Sequence, residues 1–297
     1  MRYTDDIKQG ERKGRQEDGM ITSKAINQAI DYILQHIEEK LTLNEVAAHC
    51  YFSPYYFSRL FKTQTGESVY QFIKRVRLEQ SAFRLKTEKE RSITEISADY
   101  GYSSSNYSSA FRQHYKTSPV SFRKKSYQGA MEHPFFHHEQ WRAESFADCN
   151  RKIAIKEIPD YRMIYERRFG SYEHMHRDWG ELLVRYRDYI SKDTKFLEIT
   201  YDDPSLTRAK NCLYDIGLSV GEECRLENIT ILHGGKCAVY SFKGHIKAIY
   251  AAYQTLFLVW LPKTRYRLDE RRNIIDIYHV VDCAAMEAEM DICVPVR

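Results

Sequence analysis

The sequence predicts two domains, an all-α domain built on a doubled helix-turn-helix and a pseudo-symmetric α+β domain. Three observations carry this. A block near residues 44–74 returns 50 positions later, a block near residues 155–186 returns 74 positions later, and the hydrophobic period changes from helical to strand-like near residue 151.

The first repeat lays Asn44-Glu45-Val46-Ala47-Ala48 over Thr94-Glu95-Ile96-Ser97-Ala98, Phe57-Ser58 over Tyr107-Ser108, and Phe61-Lys62 over Phe111-Arg112. Ser68, Phe72 and Lys74 return as Ser118, Phe122 and Lys124. Two copies are too few for a solenoid, so each is read as one helix-turn-helix unit. Thr42-Leu43-Asn44-Glu45 and Ser92-Ile93-Thr94-Glu95 have the spacing of capping boxes that open helices. Between the copies, Ser68 to Lys86 has no breaker and reads as one helical strut, roughly 27 Å long at 1.5 Å per residue.

Upstream, Ile26, Ile30, Ile33, Leu34 and Ile37 recur at helical spacing, so order is expected from residue 23. Residues 1–22 are polar, charged and without period, and read as a disordered arm or leader rather than a signal peptide. The expected domains are 23–128 and 151–297, with a linker at 129–150. His133, His137 and His138 in that linker lack a cysteine or carboxylate at ligand spacing, so no metal is expected.

Past residue 151, Ile153, Ile155 and Ile158, then Arg162 to Phe169, read as strands joined at Pro159-Asp160. Ser171 to Ile190 reads as a helix with Met175, Trp179, Leu182, Leu183 and Tyr186 on one face. The second repeat carries Ile155 to Ile229, Ile158 to Leu232, Gly170 to Gly244, Leu182 to Leu256 and Tyr186 to Trp260. Gly234-Gly235 reads as a hairpin turn.

The net charge is +4 over 297 residues, and it is unevenly placed. Residues 24–128 hold 16 Lys and Arg against 10 Asp and Glu, whereas residues 129–297 hold 24 against 26. The basic excess in the duplicated half is the footprint expected of a nucleic-acid binder. No apolar run approaches the 18 or so residues of a membrane span. Seven scattered cysteines without a C-x-x-C pair fit a reducing cytoplasm better than a disulfide framework.

Ser53 and Pro54 are a good N-cap and first helical residue for the segment that follows. With Phe57, Leu60 and Phe61 inward, Tyr55, Ser58, Arg59 and Lys62 project outward, as on a helix that reads the major groove. Arg59 suits bidentate contact with guanine, Tyr55 a thymine methyl or a phosphate, and Lys62 the backbone. The second copy offers Ser105, Ser108, Ser109 and Arg112 at these places. Short hydroxyls position more than they read, so specificity is expected to rest on the first helix.

In the α+β half, strand alternation puts Asp276 and Tyr278 on one face of Ile274-Ile275-Asp276-Ile277-Tyr278. An acid among aromatics suits a pocket for a cationic or amphipathic molecule. Tyr165, Trp179, Tyr214 and Trp260 complete the expected lining. Glu166 or Asp276 could serve as a general base, but no nucleophile-base-orienter set accompanies them, so no catalysis and no cofactor are expected.

The duplicated half resembles the DNA-binding domain of the AraC family over about Ile26 to Tyr127. The resemblance rests on Leu43-x-Glu45-Val46-Ala47, Ser53 with Phe57-Ser58-Arg59-Leu60-Phe61-Lys62, Arg77-Leu78-Glu79, Ile93-x-Glu95-Ile96-Ser97, Tyr100-Gly101-Tyr102 and Ser118-Pro119-x-x-Phe122-Arg123. It implies two recognition helices in successive major grooves of double-stranded DNA. Two departures stand in the second recognition segment, which reads one residue short of the family pattern and has Ser109 where an arginine is usual.

The other half resembles GyrI-like effector-binding domains through Phe169-Gly170-Ser171-Tyr172, Tyr201-Asp202-Asp203-Pro204, Gly234-Gly235-Lys236-Cys237-Ala238-Val239, Trp260-Leu261-Pro262 and Ile275-Asp276-Ile277-Tyr278. It implies a small-molecule effector, with Asp276 where such domains usually carry a ligand-contacting glutamate. Together the halves imply a cytoplasmic transcription regulator, a monomer or weak dimer, with RNA polymerase as a further candidate partner. The alternative is an architectural DNA binder whose second domain is a protein-interaction platform.

Overall fold

The computed structural model describes residues 19–131, 142–282 and 285–297. The three linker histidines and all but the last few residues of the expected N-terminal arm lie outside them. Two compact units form: one holds residues 21–131 with 202–212, the other 19–20, 142–201 and 213–297.

The helical unit runs α1 (Lys24–Gln35), α2 (Leu43–His49), α3 (Pro54–Thr65), α4 (Val69–Thr87), α5 (Ile93–Asp99), α6 (Ser104–Tyr115) and α7 (Pro119–Met131). Both capping boxes form: the Thr42 hydroxyl accepts from Glu45 N while Thr42 N donates to the Glu45 carboxylate, and Ser92 and Glu95 do the same. Ser68 and Gln71 make a third, opening the strut α4. The packing repeats with the sequence. Phe61 meets Phe72 edge-on at 5.5 Å between ring centroids, and 50 residues later Phe111 meets Phe122 edge-on at 5.2 Å. The pattern of buried and exposed residues over 51–70 recurs unchanged over 101–120. α4 is buried along most of its length because it serves both copies. α3 and α6 have the same length, 12 residues, so the second copy is not shortened relative to the first.

Each copy bends its chain left-handed twice, at the helix-turn-helix turn and at the end of the second helix. The two copies place their glycine differently. The turn is Tyr51 at φ +61° in the first copy and Gly101 at +73° in the second; the helix end is Gly66 at +76° in the first and Lys116 at +59° in the second.

The segment 202–212 joins this unit through a buried ion pair. Lys86 Nζ, on α4, lies 2.6 Å from the Asp203 carboxylate and 3.3 Å from Ser205 Oγ. Lys86 and Asp203 are both buried, and the lysine's charge holds the Asp203 carboxyl below its usual range against its desolvation.

The second unit contains α8 (Phe146–Lys152), β1 (Ile153–Ile158), β2 (Tyr161–Phe169), α9 (Met175–Arg185), β3 (Phe196–Thr200), β4 (Leu213–Ser219), β5 (Ile229–Leu232), β6 (Gly235–His245), α10 (Ile249–Thr255), β7 (Ile275–Asp282) and β8 (Glu287–Pro295). Short 3-10 turns flank α9, and a π turn over Leu256–Trp260 continues α10. All strands pair antiparallel in the order β1-β6-β8-β7-β3-β4-β2-β5. Advancing every strand number by four around the repeat reverses this order, so the sheet has a pseudo-twofold between β3 and β7.

Gly234-Gly235 is not a hairpin turn. β5 and β6 lie toward opposite ends of the sheet and do not pair, yet only two residues separate them, so the sheet must roll until its ends meet. Gly234 N donates to the Asp160 carboxylate at 2.8 Å there, and a Cβ on Gly234 would stand 1.9 Å from the Ile158 carbonyl oxygen. One face of the sheet packs Met163, Tyr165, Leu197, Ile199, Val239, Ile275, Ile277 and Cys293 together. The other face packs Tyr214, Ile216 and Leu218 with Trp179 and Leu182 of α9. Before α8, the chain's first described residues join this unit, with Met20 bridged to Arg168.

Candidate functional site

The Ser53 hydroxyl caps α3 by accepting from Tyr56 N, and Ser103 caps α6 by accepting from Asn106 N. Phe57 and Phe61, and their counterparts Tyr107 and Phe111, are wholly buried and fix how each helix rolls. The opposite face therefore looks outward. Tyr55 is 75% exposed, Arg59 and Lys62 are exposed, and Ser58 is half-buried. Ser105, Ser109 and Arg112 are exposed on α6, and Ser108 is half-buried.

None of Arg59, Lys62 and Arg112 has an acidic partner among the described residues, so their charge is available to phosphate or base. The Arg59 guanidinium lies over the Tyr55 ring at 5.9 Å, which pre-orders it on the first turns of α3. Sequence reasoning passed over Tyr51, which is 97% exposed in the turn before α3. Its signal was Gly101 at the same repeat position: a bulky residue there is kept against backbone strain.

In the second unit Glu198 on β3 and Asp276 on β7 are direct cross-strand partners at the pseudo-twofold. Each acid accepts from an aromatic on the helix of its own repeat. Trp179 Nε1 of α9 donates to Glu198 at 3.4 Å, and Tyr253 of α10, 74 residues later, donates its hydroxyl to Asp276 at 2.8 Å. Tyr278 adds a second donor to Glu198 at 2.9 Å and meets the Trp179 ring edge-on at 5.8 Å.

Asp276 is 1% exposed and Glu198 3%, and no described Lys or Arg pairs with either. Desolvation pushes the Glu198 carboxyl up to about 7, offset in part by the bonds from Tyr278 and Trp179. Desolvation and then the neighbouring Glu198 push Asp276 well above the carboxylate range.

Asp276, Tyr278, Trp179 and Tyr214 thus share one face of the sheet. Tyr165 lies on the other, against Ile275 and Ile277, with the Arg167 guanidinium 5.5 Å from its ring. Trp260 stacks on Tyr266 and donates to Asn150 at 3.0 Å, and no described contact joins it to the acids. Tyr214 is tied to Asp178. Glu166 is held by Arg168 at 2.8 Å and by Arg185, which occupies it as an ion-pair partner. Glu198 and Tyr253 were absent from the expected lining. Tyr253 was findable as the repeat partner of Trp179.

A family model described as a helix-turn-helix domain matches residues 46–125, and one described as a GyrI-like small molecule binding domain matches residues 151–297. The regulatory protein SoxS of Escherichia coli K12 is 33% identical over 107 residues, which are 36% of this chain and 99% of SoxS. The regulatory protein PocR of Salmonella typhimurium is 37% identical over 101 residues, 34% of this chain and only 33% of PocR. Among solved structures, the C-terminal domain of AraT, a response regulator from Geobacillus stearothermophilus, is 32% identical, covers 35% of this chain and 86% of its own, and has a TM-score of 0.33. The doubled helix-turn-helix and a near full-length match to SoxS lead to one conclusion: the chain belongs to the AraC family of helix-turn-helix regulators and carries a GyrI-like small-molecule-binding domain.

Proposed function

We propose that the chain is a transcription regulator that reads double-stranded DNA through α3 and α6 and whose DNA binding responds to an aromatic cation held at Asp276. The first part is supported by two matching outward faces with unpaired cations, joined by a 19-residue strut of about 28 Å. Half-sites one helical turn apart stand about 34 Å from each other, a span such a strut can serve. Arg59 on α3 is the base reader; the serines of α6 position the second unit on the backbone.

The second part is carried by one observation: Asp276 is buried beside Tyr253 and Tyr278 with no basic partner among the described residues. A buried acid without a counter-charge costs stability unless it serves a charge brought from outside, and aromatic faces add attraction for an organic cation. Because rings cover the acid, a ligand reaches it by displacing Tyr253, Tyr278 or Trp179.

A thermal-shift screen of the full chain against permanently charged aromatic cations tests this. At 100 times its dissociation constant a ligand adds about 2.7 kcal/mol, which moves the melting of a domain this size by several degrees. Stabilisation by cations that is lost in Asp276→Asn is expected. Silence across the set would favour the protein-interaction platform.

A further inference from the structure

Resting on the reading of Asp276 as a cation site, we infer that Glu198 is a second anionic anchor of equal standing, and that the ligand enters in exchange for a proton held by the Glu198–Asp276 pair. Three structural facts carry this. The two acids are directly opposed on neighbouring strands at the pseudo-twofold. Each is buried beneath a ring donor from its own repeat's helix, Trp179 for Glu198 and Tyr253 for Asp276. Every described donor that reaches them is a neutral indole or phenol, so no described group balances two negative charges. Two adjacent buried carboxylates without a counter-charge do not both ionise; one proton stays with the pair.

The surrounding titratable groups leave that proton where it is. Tyr278 comes from β7, Tyr253 from α10 and Tyr214 from β4, and burial raises all three phenols, so they remain neutral donors. Asp178 of α9 is already paired with Arg168 at 3.1 Å and with Tyr214. Cys293 of β8 belongs to the opposite face of the sheet, where burial keeps its thiol protonated.

The exchange balances simply. A carboxylic O–H bond of the pair breaks, the proton passes to solvent, and the carboxylate left behind faces the incoming positive charge beside its neighbour. Affinity for a permanently charged cation must then rise with pH, by up to about tenfold per pH unit for each proton released. A site with one ionised acid and no proton to lose would show no such slope. The pairing also fixes the ligand class. A compact organic cation that displaces the covering rings meets both acids at once, because they are direct cross-strand partners.

The test uses the full chain and N-methyl-4-phenylpyridinium, which carries a fixed charge and does not titrate. Binding is measured by calorimetry at pH 6, 7 and 8, and repeated near pH 7.5 in phosphate and in Tris, so that the buffers' different ionisation heats report proton release. The expected results are tighter binding at each higher pH, proton release in the wild type, and at least tenfold weaker binding at pH 8 in both Glu198→Gln and Asp276→Asn. The double variant, an uncharged mimic of the protonated pair, should lose the pH slope while melting no lower than the wild type. Wild-type affinity in Glu198→Gln, with binding abolished in Asp276→Asn, would overturn the inference and leave the Asp276 reading intact. Absence of binding to the wild type at every pH would overturn both.

Discussion

Replacing Lys116 by glycine should stabilise the helical unit, although it removes a charged side chain and its 2.9 Å bond to the Gln113 carbonyl. Lys116 ends α6 at φ +59° and ψ +16°, where an L-residue pays roughly 1–2 kcal/mol for the approach of its Cβ to the backbone. Glycine avoids that cost but loses about 0.5–1 kcal/mol more chain entropy on folding. The exposed bond to Gln113 is worth a few tenths at most. The net expectation is a gain of about 0.5–1 kcal/mol.

The repeat supplies the control. Gly66 occupies the same place at the end of α3, at φ +76°, and a Cβ there would meet no atom within 4 Å. Gly66→Lys therefore isolates the backbone term and should cost about 1 kcal/mol. Thermal unfolding followed by far-UV circular dichroism resolves both, since 1 kcal/mol moves a domain of this size by about 4 °C or more. If Lys116→Gly melts lower than the wild type, or Gly66→Lys melts unchanged, the left-handed strain argument is wrong for this fold.

Tyr51→Gly, at the other strained position, should likewise raise stability; a simultaneous loss of DNA affinity in gel-shift titration would identify what the strain is kept for. Arg59→Ala should cost about 1–3 kcal/mol on a selected duplex and little on random sequence, whereas Lys62→Ala should weaken both and lower the salt slope by about one. Equal losses on both duplexes would remove Arg59 as the base reader. Lys86→Met strands the buried Asp203 carboxylate and should cost about 3–5 kcal/mol by urea denaturation, while adding Asp203→Leu to it should recover most of the loss. Glu198 binds its proton more tightly folded, near pH 7, than at its ordinary value of 4.5, so the folded state holds the extra proton between those values. Stability should accordingly fall as pH rises from 4.5 past 7; burial raises Asp276 as well and adds a fall of the same sign, so Glu198→Gln should shrink the fall and the double variant with Asp276→Asn should abolish it.

The helical unit was legible because its signals are local. Capping boxes, a serine-capped helix start and a burial period of 3–4 residues act within one turn, and the 50-residue repeat doubled each of them. The second unit was legible in its repeat and in the faces of β7, where alternation alone separates Asp276 and Tyr278 from Ile275 and Ile277. What stayed hidden depends on which strands become neighbours. Tyr165 faces the inner cluster because its strand β2 pairs with β4 and β5, a register no local pattern states. Gly234-Gly235 looks like any tight turn until the sheet is known to roll.

Glu198 escaped for a related reason. The repeat offset is 74 at Trp179 and Tyr253, but the cross-strand partners Glu198 and Asp276 are 78 apart. Tyr186 and Trp260 still match at 74, so the four extra residues enter between Trp260 and Asp276. The pairing of the acids is thus a property of the closed sheet rather than of either strand.

The most direct measurement is DNA affinity with and without a bound cation. A duplex selected by the full chain from a random library would be titrated at fixed salt, in the wild type and in Asp276→Asn, with the cation absent and then saturating. At least a fivefold change in wild-type affinity is expected, equivalent to about 1 kcal/mol of coupling, with no change in Asp276→Asn. Identical wild-type affinities under ligand saturation would contradict ligand control and leave two activities on one chain with nothing passing between them.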